Sequence, residues 1–301
     1  MRRDNRASGQ RGVRTRAIAC LIAILATSPA SAQLPVLRAR ALDDTAAVKI
    51  LNAAGSIRLV GWDRDSIVVR GRVARGQHLF FGGSASGVKV VIEDSTRSTD
   101  SRPSQLVVYL PRASRISAKS ASADITGTDV SGWFYSVSGS IRLAGSATSI
   151  EAETMDGSID LNVAVPWVRA RTGSGTLTLR RPAPDADLAT ISGPLNVATA
   201  SVRRGRFSSV TGDIRMIGAP PGDALLELSN HEGAVELLLP RTVGGVFDLS
   251  TVSGNIENGF ASARPAAQDP MQNRALHLEL GGGGAHVTVR TFRGTIRLRS
   301  Q

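Results

Sequence analysis

The stretch "TGSGTLTLR", residues 172–180, decides how the rest of the chain is interpreted. It places Ser174 between two glycines and then repeats leucine at every second position, at Leu177 and Leu179. A serine between glycines is compatible with a nucleophile on a sharp turn, a phosphate-binding loop or a plain bend. Leucines two residues apart predict a strand with one buried face. Segments elsewhere that share this pattern separate the three alternatives.

The same frame recurs along the chain when Gly175 is taken as position zero. Eight glycines fit it, at successive intervals of 18, 18, 18, 19, 21, 21 and 40 residues: Gly139, Gly157, Gly175, Gly193, Gly212, Gly233, Gly254 and Gly294. Positions +2 and +4 are apolar, except at Asn258, and position +3 is polar. Because strand side chains alternate between two faces, +2 and +4 are predicted to face a core and +3 to face water.

A second strand precedes each glycine, with mostly apolar residues at −5 and −7. Position −3 has the same parity, so its side chains are predicted to point inward beside the turn. A buried hydroxyl without a partner costs about 1–3 kcal/mol, so we expect a ladder of bonds to a neighbour or to the turn backbone. The residues at −3 are Ser136, Thr154, Thr172, Thr190, Ser209, Asn230, Thr251 and Thr291.

Each repeat buries only one face of two short strands, so it is predicted to be stable only when stacked on its neighbours. We therefore predict an all-β fold, a parallel β-solenoid (β-helix-like) with coils of about 18–21 residues. The solenoid is predicted over residues 113–301, with a loop insertion near residues 259–275. The chain ends in "GTIRLRSQ", where Arg297 and Arg299 are expected to discourage pairing at an uncapped edge.

The region 33–112 is less regular and is predicted to be an N-terminal β region that packs on or caps the solenoid. Two further copies of the frame occur upstream, around Gly55 and with Ala123 in the glycine slot. Strands are predicted at 66–73, 87–93 and 105–111, and loops at 74–86 and 94–104.

Residues 1–32 have the layout of a secretory signal peptide. Six arginines precede the apolar run 17–27, and Ala30-Ser31-Ala32 offers a cleavage site before Gln33. The only cysteine, Cys20, lies in this run, so the mature chain is predicted to lack disulfides and thiol chemistry. The 11-residue run is too short to span a bilayer, and no later stretch approaches 18 apolar residues, so we expect no transmembrane span.

Charge and aromatic content argue against a nucleic-acid partner. The formal net charge is +11, and removal of residues 1–32 leaves 30 basic against 24 acidic residues. These basic residues are scattered and aromatic residues make up only 4% of the chain, so stacking on bases has little support. A mild positive charge gives weak attraction to anionic polysaccharide or lipid surfaces.

Two segments and one recurring turn motif are distinctive. They are "GSIRLVGWDRDSIVVRGRV" (55–73), "LVVYLPRASRISAKSASADITG" (106–127) and repeated turns of the form [ST]-x-[ST]-G-x-[IL]. These features resemble the bacterial family of β-strand-repeat proteins known as "putative adhesins", which contain a domain of unknown function. The resemblance covers roughly residues 45–300. It implies an exported or envelope-associated repetitive β protein, and it brings no catalytic residues.

Serine and carboxylate chemistry has little support in the pattern. No G-x-S-x-G occurs, and Ser174 occupies position −1, which other repeats fill with Ser, Asp, Glu, Thr or Arg, so the bend is favoured over a nucleophile. The densest acidic group, Glu151, Glu153, Asp156 and Asp160, is interpreted as a solvated face with cross-strand charge pairs. A glycosidase would need two carboxylates held at a set separation in a cleft.

Metal and phosphate sites are weakly indicated. Two histidines and a glutamate, His277, His286 and Glu279, have zinc-ligand chemistry but lack a third histidine. The run "GGGG" (281–284) lacks the Gly-Lys-Ser/Thr ending of a phosphate loop. The segment "HLFFGG" (78–83) is interpreted as a loop whose phenylalanines touch a partner or a membrane, or pack on the core. We predict no catalytic, metal or cofactor residue.

The sequence therefore predicts an exported, non-enzymatic, adhesin-like binding or scaffolding module of the cell envelope. Its expected partners are envelope polysaccharide or a surface protein, with self-association also open and no nucleic acid. Its expected location is the periplasm, the cell surface or the medium. The alternatives are a carbohydrate-active β-helix enzyme, either a lyase or a hydrolase, and a structural protein that polymerises through an open solenoid end.

Overall fold

The alternation of apolar and polar residues forms strands throughout the described chain. The computed structural model describes residues 33–94, 102–199, 201–260, 274–282 and 284–301, so the predicted signal peptide and most of the predicted insertion lie outside it. Over these residues the regular elements are all β-strands. The same residues form no helix with the length and apolar character needed to cross a membrane.

The strands fall into an irregular first part, a regular middle and a short last part. The first seven are β1 (Leu34–Ala41), β2 (Ala47–Leu51), β3 (Gly55–Trp62), β4 (Ser66–Val73), β5 (Gln77–Gly83), β6 (Gly87–Asp94) and β7 (Ser104–Pro111). The middle ones are β8 (Arg115–Ser120), β9 (Asp124–Thr128), β10 (Ser131–Ser136), β11 (Ile141–Ser146), β12 (Ile150–Thr154), β13 (Ile159–Ala164), β14 (Trp167–Thr172), β15 (Leu177–Leu179), β16 (Asp185–Thr190), β17 (Leu195–Val197), β18 (Arg204–Ser209), β19 (Ile214–Ile217), β20 (Leu225–Asn230) and β21 (Val235–Leu239). The last are β22 (Gly245–Thr251), β23 (Ile256–Asn258), β24 (Arg274–Leu280), β25 (His286–Thr291) and β26 (Ile296–Ser300).

Each middle repeat gives one strand to each of two 13-stranded sheets. The first sheet has the order β1-β4-β7-β3-β9-β11-β13-β15-β17-β19-β21-β26-β23. The second has the order β24-β22-β25-β20-β18-β16-β14-β12-β10-β8-β2-β6-β5. Neighbouring repeats pair in parallel and in register, as in Ile159 with Leu177 and Thr154 with Thr172. The predicted all-β parallel solenoid is therefore confirmed.

The core lies between the sheets and is built from the predicted inward positions. Leu177, Leu179 and Ala170 are fully buried, and so are their equivalents in the neighbouring coils. Each fully buried leucine contributes about 1.5–3 kcal/mol relative to an exposed one, so a long stack of coils gains most of its stability here.

The glycine of each turn is required by packing between coils. A Cβ atom built on Gly175 would overlap the backbone carbonyl of Gly157, and one built on Gly193 would overlap the carbonyl of Gly175. The same overlap recurs at the other six glycines of the eight-repeat array, and the backbone φ of these eight glycines is not in the left-handed region. The close approach of stacked turns, and not an unusual backbone conformation, excludes larger residues.

The predicted polar ladder at position −3 bonds to turn backbone. The hydroxyl of Thr172 accepts a hydrogen bond from the N–H of Gly175 (3.2 Å) and donates one to the carbonyl of Gly157 in the preceding coil (2.9 Å). Thr154 and Asn230 make equivalent pairs of bonds. Among the described residues of the ladder, Ser209 alone has a buried hydroxyl without a partner. At Thr154, Thr172 and Asn230 the ladder therefore ties a turn to the one before it.

Spatial order departs from chain order at both ends of the stack. At the C-terminal end, β25 and β26 lie between β20–β21 and β22–β23. At the other end, β2 and β3 lie between β6–β7 and β8–β9. The prediction that the chain ends at an uncapped edge is therefore wrong, because β26 has a parallel partner on each side.

Antiparallel strands cover most of the outer edges. Strand β5 pairs with β6, β4 pairs with β7 and β1 pairs with β4, while β24 pairs with β22 at the far end. The predicted loop 74–86 is wrong in its centre, since residues 77–83 form β5. Phe81 packs against the core and Phe80 lies on the outer face. The division of the chain at residue 112 stays a prediction.

Candidate functional site

A long concave surface lies on the outer face of the second sheet. It is a groove of about 610 Å³, which we call the second-sheet groove. It crosses five adjacent strands, β14, β16, β18, β20 and β25. The side chains that line it on the outer face are Trp167, Arg169, Asp185, Asp187, Arg204, Arg206, Leu225, Glu227, His286, Thr288 and Arg290.

In-register pairing arranges these side chains in rows across the strands. One row runs Trp167, Asp185, Arg204, Leu225 and His286 in successive strands. The next row, two residues further along each strand, is Arg169, Asp187, Arg206, Glu227 and Thr288. Residues distant in the chain thus share one surface because coils stack without a shift.

Charges of opposite sign alternate along these rows and form ion pairs. Arg204 Nη2 lies 3.3 Å from Asp185 Oδ2, and Arg206 Nη2 lies 3.5 Å from Glu227 Oε2. Arg290 reaches the other oxygen of Glu227 at 3.8 Å. Exposed pairs of this kind contribute only about 0–1 kcal/mol each, so they position the side chains more than they stabilise the fold. Each guanidinium carries five N–H donors and retains some for a ligand.

Arg169 sits deeper in the groove than the other arginines. Its Nε is buried, lies 3.4 Å from Asp187 Oδ2 and lacks hydrogen-bond geometry to any partner. Its guanidinium is also 5.9 Å from the centre of the Trp167 ring. One end of the groove therefore combines an aromatic face with a cation whose buried N–H is not satisfied.

Further aromatic residues continue along the same face beyond the groove. Trp133 and Tyr135 lie on β10 with ring centroids 6.0 Å apart, and Lys119 Nζ lies 4.2 Å from the centre of the Trp133 ring. Position +3 contains no aromatic residue, so the predicted surface row missed these rings. They occupy positions −4 and −6 of the repeat, which face outward by the same alternation.

The four carboxylates predicted as one acidic group are distributed over three surfaces. Glu151 and Glu153 lie on β12 of the second sheet, and Asp160 lies on β13 of the first. Asp156 lies in the turn between them, where its Oδ1 is 3.3 Å from the Oγ of Ser174. Arg180 Nε donates to Asp160 at 2.9 Å, and this hydrogen bond raises the pKa of Arg180 above its usual value.

The three weak zinc candidates are only partly together. His277 Nδ1 lies 2.7 Å from Asp248 Oδ1, and its Nε2 lies 3.6 Å from Glu279. The hydrogen bond to Asp248 is the main reason that the pKa of His277 is raised. His286 is separated from Glu279 by Val246 of the intervening strand. Within the described ranges, no three His, Cys, Asp or Glu side chains group closely enough to hold a metal ion.

The sequence is similar to one described protein family over most of its length. The sequence model of the family described as Toastrack DUF4097 matches residues 50–299. No curated protein shows significant sequence similarity to the chain.

Several solved structures align over most of the chain. A putative adhesin from Bacteroides fragilis is 12% identical, with a TM-score of 0.42, and the alignment covers 89% of this chain and 98% of that one. A putative adhesin from Parabacteroides merdae is 9% identical, with a TM-score of 0.44, over 88% and 95% of the two chains. A putative lipid binding protein from Parabacteroides distasonis is 9% identical, with a TM-score of 0.42, over 88% and 96%.

Proposed function

This chain belongs to the Toastrack DUF4097 family, and we propose that it is an exported, non-enzymatic, adhesin-like module that binds polysaccharide of the cell envelope. The observation that carries the proposal is the second-sheet groove, which is lined by an aromatic face at one end and by four arginines along its length. The ligand class follows from the chemistry of these two features.

The aromatic end of the groove suits a sugar ring. Trp167 is half-buried, which fixes the indole while leaving part of it open to the groove. Aromatic faces bury large apolar areas, and the C–H face of a pyranose is the part of a polysaccharide that offers such an area. The adjacent guanidinium of Arg169 adds a donor at the same end.

The arginines suit a ligand that carries carboxylate or sulfate groups. Guanidinium groups pair with planar oxyanions through two parallel hydrogen bonds. Arg204 and Arg206 stand two residues apart on β18 and are largely exposed. A chain with acidic groups at regular intervals can therefore meet successive rows, which favours an acidic polysaccharide over a neutral one.

The carboxylates of the groove support binding over hydrolysis. Asp185, Asp187 and Glu227 each lie within 3.5 Å of an arginine nitrogen. Glycoside hydrolysis needs one carboxyl group that presents a proton to the leaving oxygen and a second one facing the sugar. Carboxylates already engaged by cations are poorly placed for those tasks.

Two expectations from the sequence belong to the same proposal. Export rests on the signal-peptide layout of residues 1–32, and the secreted chain is expected to begin at Gln33. The region 33–112 is proposed as a cap, since its antiparallel strands β1, β4 and β5 occupy sheet edges. N-terminal sequencing of the secreted protein tests the first expectation.

The test is a binding screen against acidic and neutral polysaccharides, with release of reducing ends and of unsaturated products measured in parallel. We expect Trp167→Ala and the double variant Arg204→Ala/Arg206→Ala each to weaken binding of an acidic chain by about tenfold or more, which is roughly 1.4 kcal/mol. Trp133→Ala, which removes an aromatic ring outside the groove, is the matched control. Turnover of any polysaccharide contradicts the proposal, and so does binding that both groove variants leave unchanged.

A further inference from the structure

A row of exposed apolar side chains runs along the turns that join the two sheets. These residues occupy position −2 of the repeat, two before the glycine, and we call them the turn ridge. In their spatial order, six of the eight positions from β10 to the far end are aliphatic or aromatic: Val137, Met155, Ile191, Val210, Phe292 and Val252. Ile191 is 59% exposed and Met155 is 54% exposed, which is unusual for large apolar side chains in a regular array.

The backbone beneath the ridge is held rigid from coil to coil. The carbonyl of Gly173 accepts hydrogen bonds from the N–H groups of Ile191 (3.1 Å) and Ser192 (2.8 Å). The carbonyl of Ile191 accepts in the same way from Val210 and Thr211. The exposed side chains therefore follow the strand spacing, about 4.8 Å, and the eight positions of the ridge span roughly 34 Å.

Two positions interrupt the apolar row, and their sizes are complementary. Gly173 lacks a side chain and leaves a gap between Met155 and Ile191. His231 is large, and its ring stacks on Phe292 with centroids 4.9 Å apart and planes 1° apart. The gap lies one position to one side of the Ile191–Val210 pair, and the bulge lies one position to the other side.

The neighbouring position −1 carries three charged residues among eight. Two of them, Asp156 and Arg293, have the same symmetry, and the third, Glu232, has Ser174 as its counterpart. Asp156 follows Met155 in one turn, and Arg293 follows Phe292 in another, where Arg293 Nη1 lies 3.5 Å from Glu232. Counted from the midpoint between Ile191 and Val210, Asp156 and Arg293 lie equally far away on opposite sides.

From this arrangement we propose that two copies of the chain associate side by side and antiparallel through the turn ridge, about a two-fold axis between Ile191 and Val210. In this pairing Ile191 meets Val210, the gap at Gly173 receives His231, and Met155 meets Phe292. Asp156 of each copy then lies opposite Arg293 of the other. An isologous two-fold contact of this kind closes at a dimer.

Other registers lose this match. With the axis moved onto Ile191, Asp156 would face Glu232, and like charges in contact disfavour the complex. With the axis moved onto Val210, Gly173 would face Phe292 and Asp156 would face Ser253, so the charge pair disappears. The contact is narrow and lies at the small end of specific interfaces, which typically bury roughly 800 Å² per partner, so a reversible dimer is expected.

The first test is sedimentation velocity of the purified chain over a concentration series. The parent is expected to form dimers reversibly, and Ile191→Asp is expected to raise the dissociation constant at least about tenfold. Leu37→Asp, which changes an equally exposed leucine on β1, is expected to have no effect. A parent that stays monomeric up to about 1 mM overturns the proposal, as does a dimer that Ile191→Asp leaves intact.

The second test fixes the register and does not depend on a destabilising variant. In a Cys20→Ser background, chains with Met155→Cys and chains with Phe292→Cys are treated with a short bis-maleimide cross-linker. A mixture of the two is expected to form covalent dimers, while each alone is not, because two copies of residue 155 lie about 24 Å apart in the proposed pair. Efficient cross-linking of either variant with itself contradicts the antiparallel register.

Discussion

The middle of the solenoid and its two ends are built by different rules. From β8 to β21 the coils stack in chain order, each strand has two parallel neighbours, and one turn geometry repeats. At each end, the coil at the edge of the stack is not the coil nearest the chain terminus. The coils nearest the termini, β2–β3 and β25–β26, are instead inserted beneath the edge coils β6–β7 and β22–β23. Repetition therefore accounts for the middle but not for how the stack is closed.

The difference has a physical reason in the exposed edges of parallel sheets. A stack that simply stopped would present unpaired N–H and C=O groups along two strands, which invites further pairing. Here the outer coils β6–β7 and β22–β23 carry antiparallel strands on at least one sheet, supplied by β4, β5 and β24. The chain terminus itself is held inside, with β26 between β21 and β23.

The largest expected effect is the trapping of the inserted coil by a disulfide. In a Cys20→Ser background, Ser229→Cys with Arg290→Cys is expected to oxidise almost completely, because these residues are directly paired across β20 and β25. Ser229→Cys with Ser250→Cys is the matched control, since β25 separates those strands and the pair would lie about 9.6 Å apart. Mass spectrometry with thiol alkylation measures both. A disulfide in the control pair, with the first pair still reduced, would mean that the coils stack in chain order.

Stability in the middle of the stack is expected to depend most on the glycine column. Gly175→Ala places a Cβ against the carbonyl of Gly157, so two coils must separate or shift, and we expect a loss of about 3 kcal/mol or more. Gly222→Ala is the control, because no atom lies within 4 Å of the Cβ position there. Urea unfolding followed by circular dichroism compares the two. Equal stability of both variants would show that the turns are not tightly stacked.

The middle of the fold could be predicted from the sequence, but the order of coils at its ends could not, and particular residues show why. Leu177 and Leu179 alternate with polar residues, and the glycine frame then predicts both strands of each coil. The order of coils leaves no such trace, since the apolar alternation of β25–β26 fits a neighbour on either side. Likewise, Phe80 and Phe81 alternate outward and inward as a strand requires, but the adjacent glycines favoured a loop.

The candidate site was predictable in part. Trp167 and Trp133 stand at outward positions of the strand before the glycine. The alternation that predicts a water-facing side chain at position +3 also predicts that these two side chains face outward. The groove itself needed the register, because Trp167 and Arg290 are far apart in the chain and line one surface only through in-register stacking of five strands. The turn ridge was visible in the repeat as an apolar residue at −2, but its exposure follows from the turn geometry.

A milder perturbation of the middle tests the polar ladder. Thr172→Val removes the hydroxyl that accepts from Gly175 and donates to Gly157, and it leaves both backbone groups without that partner. We expect a loss of about 1–3 kcal/mol in the free energy of unfolding. Ser209→Ala is the contrast within the same ladder, because that hydroxyl has no partner, and it is expected to be neutral or slightly stabilising. Unchanged stability in Thr172→Val would contradict a hydrogen-bonded ladder.

The smallest expected effect concerns the edge strand β24 and its attachment to β22. The hydrogen bond from His277 to Asp248 raises the pKa of His277, with a lesser contribution from Glu279. A group whose pKa is raised on folding stabilises the native state below its unfolded pKa, about 6.5, and loses that contribution as the pH rises through the folded value. Asp248→Asn is therefore expected to lower the NMR titration midpoint of His277 more than Glu279→Gln does. A midpoint that neither variant moves would mean that His277 does not form the hydrogen bonds to Asp248 and Glu279.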